Sequence, residues 1–306
     1  MKKLFCTFLF GLLLLTTGWT AENNICSKAP TLQYKGITLL QLDIAPYMRV
    51  YLTQEECEQY QKEGAKEFIR QISDIIKLFS SANIPMPKEG YFQFLILPEG
   101  EVFKSITGFT YGITGVDWLE VLAFDDSRFF TLSPNTYFAG LVHELAHVVH
   151  GDWIHIFPIC EGFAENVPFY ILNLVDEQQQ ERALTLKPEE MYSVNSLINR
   201  KMFTPEERKG KDGTRIRVQY LKTYSSMYLW MRGYLETVQQ KYNLNKVEAL
   251  TFVLQEFQKA AALPTLKKQE NYIAKLIGWK RKKVFDGNAL QLLGQQSLQK
   301  SVSQNN

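Results

Sequence analysis

The sequence predicts an α+β protein with a sheet-bearing first lobe, one helix at the junction and a helical second lobe. Three observations predict it. Short runs rich in strand formers, at 47–53, 91–97, 119–124 and 129–132, fall in the first half only. Apolar residues at helical spacing, with little strand signal, dominate from residue 159 onward. Between the two stretches an apolar helix follows Ser133-Pro134-Asn135, runs to about His150 and stops at Gly151.

The chain opens with Lys2 and Lys3, an apolar run from Leu4 to Leu15, and small or polar residues to Ala21. That pattern is a secretory signal peptide, and the run falls short of the roughly 20 residues a membrane span needs. Residues 1–21 are assigned to it, with Gly18 and Ala21 both open as cleavage positions. The whole chain carries 34 Lys+Arg against 32 Asp+Glu. Two lysines and no acid leave with the signal, so the mature protein is formally neutral, with no overall pull toward nucleic acid or an anionic membrane. No stable membrane insertion is expected after signal removal, and the expected location is secreted or periplasmic. Cys6 leaves too; Cys26 and Cys57 can pair in an oxidising compartment or, with Cys160, pack as small hydrophobes.

The elements then follow in order. Tyr47 to Thr53 alternates as a strand does, and Glu55 to Ser80 spaces Phe68, Ile72, Ile75, Ile76 and Phe79 along a helix face stopped by Pro85 and Pro87. Tyr91 to Leu97 is the next strand and Glu101 to Thr107 a short helix. Leu119 to Phe124 and Phe129 to Leu132 are strands parted by Asp125, Asp126 and Ser127. The first lobe therefore spans 22–151. The helical lobe, 152–294, has segments near 159–180, 217–241, 245–260 and 265–278, with a charged loop from Glu206 to Arg215. Lys280, Arg281, Lys282 and Lys283 read as solvated charges at a helix end. The polar stretch 295–306 is expected to be a disordered tail.

The junction helix carries His143-Glu144-Leu145-Ala146-His147, an H-E-x-x-H motif. Positions i and i+4 share a helix face, so both imidazoles can reach one zinc ion, and Glu144 can take a proton from a metal-bound water. All four histidines (His143, His147, His150 and His155) lie within 13 consecutive residues. His150 is too far along the axis to join a compact site, and His155 has no ligand spacing. Zinc needs a third protein ligand and an open position. Tyr220, Tyr224 and Tyr228 recur at i+4 spacing, as an aromatic stripe facing either the core or a cleft.

The motif, followed by Cys160-Glu161-Gly162-Phe163-Ala164-Glu165-Asn166, resembles the gluzincin zinc metallopeptidases, above all the thermolysin-like peptidase MA group. Aminopeptidase-N-like and bacterial-collagenase catalytic domains share the layout. The resemblance implies a zincin fold with the motif helix at the cleft. It makes His143, His147 and Glu161 the ligands of Zn2+, Glu144 the general base, and Glu165 a carboxylate that orients a zinc histidine. His147 and Glu161 are only 14 positions apart, shorter than in many gluzincins, so Glu165 stays open as a substitute ligand. Tyr224 to Leu235 resembles the aminopeptidase-N-like helix that carries an oxyanion-stabilising tyrosine, which singles out Tyr224. By the same analogy the strand near Leu119 to Phe124 would be an edge that pairs with substrate. The expected activity is hydrolysis of a peptide or protein substrate. The alternative is a catalytically silent, zinc-bound module that binds a protein partner; it has no need of Glu144.

Overall fold

The computed structural model describes residues 25–34, 36–45, 48–55, 57–58, 65–82, 84, 92–97, 112–116, 119–125, 142–143, 145–147, 149, 157–173, 177–199 and 213–305. The architecture over these residues is α+β.

A short helix, α1 (Ile25–Lys28), leads into β1 (Thr31–Tyr34), β2 (Ile37–Ala45) and β3 (Met48–Leu52), each antiparallel to the next. Gly36, at φ 84°, turns the first hairpin, a left-handed conformation that glycine adopts without a Cβ penalty. Across β2 and β3 the Arg49 guanidinium grips Asp43 with Nε at 2.5 Å and a second nitrogen at 3.0 Å. A helix, α2 (Ala65–Ser81), then carries the chain to β4 (Phe92–Leu97), parallel to β3. After it come β5 (Gly112–Val116) and β6 (Leu119–Asp125). The sheet order is β1-β2-β3-β4-β6-β5. Val50, Tyr51 and Leu52 are all buried, as befits a strand covered on both faces.

This order corrects one expectation. The strand at Leu119–Asp125 is internal, flanked by β4 and β5, and the edge is β5, Gly112–Val116. The N-terminal hairpin was not anticipated. Cys26 and Cys57 form a disulfide that ties α1 to the segment after β3, and Cys160 stands outside it. Residues 1–21, the helix expected at Glu101–Thr107 and the strand at Phe129–Leu132 lie outside the described residues.

The described residues between 142 and 149 are helical. Beyond them lie α3 (Phe157–Leu172), α4 (Glu177–Thr185), α5 (Val194–Asn199), the long α6 (Gly213–Tyr242), α7 (Lys246–Ala261), α8 (Leu266–Leu276), α9 (Arg281–Phe285) and α10 (Ala289–Asn305). Asn173, at φ 53°, ends α3, so the single helix expected over 159–180 is two. Helix α6 begins at Gly213, inside the expected charged loop. The stretch 295–305 is not a disordered tail but the second half of α10. Polar tertiary contacts order it: Gln295 Nε2 donates to the carbonyls of Ala183, Leu184 and Leu186, while Leu298 is fully buried.

One apolar core joins the two lobes. It holds Leu40, Val50 and Leu52 of the sheet, Ile75 and Phe79 of α2, Phe163 and Val167 of α3, and Trp230 and Tyr234 of α6. Helices α6 and α10 touch backbone to backbone at Gly233 and Gly294, where a Cβ on either residue would fall about 2 Å from the other helix's carbonyl oxygen. No described helix is long and apolar enough to cross a membrane.

Candidate metal centre

The motif segment presents two faces. Val142, Leu145, Ala146 and Val149 repeat at i, i+3, i+4 and i+7 and are buried in the shared core, which fixes the segment's rotation. His143 and His147 emerge from the other side, one turn apart and partly exposed.

Helix α3 meets them with an acidic stripe. Glu161 Oε2 lies 3.5 Å from His143 Nε2, and Glu161 Oε1 lies 3.6 Å from His147 Nε2. The two Nε2 atoms are 3.0 Å apart, with the rings edge to face. Burial alone would raise the Glu161 carboxyl, but hydrogen bonds and charge from His143 and His147 outweigh it and hold the group well below the usual carboxylate range. The same burial, helped by the Glu161 charge, pushes the neighbouring Cys160 thiol up to about 12. Glu165, one turn past Glu161, faces the other side of a histidine: its Oε1 is 3.5 Å from His143 Nδ1.

A second stripe on α3 faces α6. A Cβ on Gly162 would come within 2.6 Å of the Met227 carbonyl oxygen, so only glycine permits this approach of the two helices. Asn166, fully buried, donates from Nδ2 to the carbonyls of Gly162 (2.8 Å) and Tyr228 (3.0 Å). Gly162 and Asn166 follow Glu161 and Glu165 by one residue each, so the contact that locks α3 also aims the acids. Sequence reading passed over both. The signal for Gly162 was present in the E-G-F-A-E segment; Asn166 had none.

His143, His147 and Glu161 offer one ligand atom each, all within 4.8 Å of one another. The two histidine nitrogens are 3.0 Å apart and each faces a different Glu161 oxygen, at 3.5 and 3.6 Å, near the roughly 3.3 Å edge of a tetrahedral site with bonds of about 2.0–2.1 Å. Two imidazole nitrogens and a carboxylate are a donor set that can hold a metal ion. Glu165 stands behind His143 rather than among the three. Tyr224 is half-buried on α6, three residues before Met227, while Tyr228 is buried in a second cluster with Ala183 and Leu298. Glu144, His150 and His155 lie outside the described residues, as does the side chain of Tyr220.

No protein-family model matches the chain, and no curated protein is similar enough to report.

Proposed function

We propose that this protein is an exported zinc-dependent peptidase of gluzincin type, with a thermolysin-like arrangement of lobes. The observation that carries the reading is the convergence of His143, His147 and Glu161, from two separate segments, with one ligand atom of each within 4.8 Å of the others. These three residues would hold zinc, which when bound polarises a carbonyl and makes water more acidic. Glu144, next to the first ligand in the chain, takes the proton of the attacking water and delivers it to the leaving amine. Glu165 accepts from His143 Nδ1, which fixes the tautomer that leaves Nε2 free for the metal. Tyr224 donates its phenol to the carbonyl oxygen as negative charge develops there. The export assignment rests on residues 1–21 and agrees with the Cys26–Cys57 disulfide.

Zinc content and cleavage of a mixed peptide library, measured on wild type beside Glu144→Gln, test the reading. Equal zinc in both, with cleavage by the wild type alone, is the expected result. Zinc in both and cleavage by neither favours the silent binding module. A wild type that takes up no zinc overturns the ligand assignment.

A further inference from the structure

The neutral charge balance of the mature chain conceals a local asymmetry at one end of the helical lobe. From Leu266 to Phe285 the sequence has seven basic residues and one acid, Glu270. Arg281 satisfies that acid with a nitrogen 2.7 Å from Glu270 Oε2, and reaches Asp286 at 3.7 Å. The lysines gain nothing from these pairs. Lys275, Lys280, Lys282 and Lys283 are exposed, and among the described residues no carboxylate lies within ion-pair distance of any of them.

Helix ends account for part of this charge: Lys275 lies in the last turn of α8, and Lys282 and Lys283 in the last turn of α9. Lys280, the N-cap of α9, stands instead at the beginning of a helix, where the dipole disfavours a cation. The neighbouring C-terminus of α8 is already served by Lys241, whose Nζ donates to the Leu276 carbonyl at 2.6 Å. That bond draws Lys241 into the same patch. Lys283 lies 3.6 Å over the Trp279 ring, and Tyr242 (39% exposed) donates its hydroxyl to the Leu276 carbonyl. At the far end of α8, Lys267 and Lys268 follow Leu266, which is 43% exposed.

We infer that this face docks the protein on an anionic phospholipid surface. Unpaired lysines around exposed Leu266 and Tyr242 are what a headgroup layer attracts: diffuse point charges with apolar tips among them. Lysine acts as a point charge, whereas fork-shaped recognition of a nucleic acid uses free arginine, and the one arginine here is occupied by carboxylates. The attachment is peripheral and electrostatic, and it is independent of the metal centre.

Co-sedimentation of the mature protein with lipid vesicles tests this. Vesicles with roughly one-third phosphatidylglycerol should pull it down at about 0.1 M salt, and phosphatidylcholine vesicles should not. Each lysine removed should weaken partitioning roughly fivefold, so Lys280→Gln/Lys282→Gln/Lys283→Gln should lose about 100-fold. A control of equal charge, Lys28→Gln/Lys77→Gln/Lys300→Gln, should bind as the wild type does. If the first variant melts early, Lys267→Gln/Lys268→Gln/Lys275→Gln carries the same test. Equal binding to both vesicle types, equal loss in patch and control variants, or tighter binding to duplex DNA than to anionic vesicles would each overturn the inference.

Discussion

Two helix contacts among the described residues are closed by glycine, and they serve different ends. At Gly233 and Gly294 the approach is mutual: each glycine faces a backbone carbonyl of the opposite helix, Leu290 and Leu229 respectively. The residues around it, Trp230, Tyr234 and Phe285, are core aromatics. At Gly162 only one helix contributes a glycine, and the residue before it is Glu161, whose carboxylate faces both histidines. The first contact holds the scaffold together. The second transmits the position of α6 to a candidate metal ligand. The difference teaches that close packing becomes functional through what sits one residue away, and mutations can separate the two roles.

The largest effect is expected at the ligand itself. Glu161→Ala removes the one carboxylate that addresses both Nε2 atoms among the described residues. Zinc affinity, measured by competition with a chelator, should fall by more than the roughly 10–100-fold typical of losing an outer-sphere partner. Retention of wild-type affinity would erase the distinction between the two contacts.

Next comes the scaffold. Gly233→Ala forces a Cβ to within 1.9 Å of the Leu290 carbonyl oxygen, with backbone rather than a flexible side chain in the way. The cost should be about 3 kcal/mol, the upper end of ordinary overpacking, and should lower the melting temperature by roughly 6–12 °C. Zinc binding well below the melt should stay at the wild-type level. If affinity falls as well, the α6–α10 contact is part of the site.

Gly162→Ala tests the transmitting contact. The clash, 2.6 Å to the Met227 carbonyl oxygen, is milder, and about 1–2 kcal/mol of stability should be lost. Glu161 is on the same turn, and a ligand displaced by more than about 0.5 Å no longer completes a site. More than tenfold loss of zinc affinity should therefore accompany a smaller fall in melting temperature than in Gly233→Ala. The reverse ranking would break the comparison.

How much of this was legible depends on range. The motif histidines sit at i and i+4, and a helical period needs no tertiary knowledge to pair them. Glu161 and Glu165 became visible through resemblance to gluzincins, and the structure puts both beside His143. The tail at 295–305 misled because composition reports apolar surface, whereas Gln295 orders its helix through three carbonyls more than 100 positions away. The rank of Leu119–Asp125 in the sheet was hidden for a related reason. Local alternation identifies a strand, but only long-range pairing decides whether it is an edge.

The smallest effect is the one that discriminates most finely between the two acids. Glu165 meets His143 at Nδ1, the nitrogen opposite the converging Nε2 atoms, so it acts on the metal only through the ring. Glu165→Gln keeps the shape and an acceptor oxygen but removes the charge that makes the imidazole a stronger donor. Zinc affinity should fall about tenfold, and stability should change by less than about 0.5 kcal/mol, since the side chain is partly exposed and fills no core position. A loss as large as that of Glu161→Ala would mean that Glu165 is the third ligand and Glu161 its support. Chelator competition on both variants side by side decides between these, because one carboxylate must then behave as a ligand and the other as its neighbour's support.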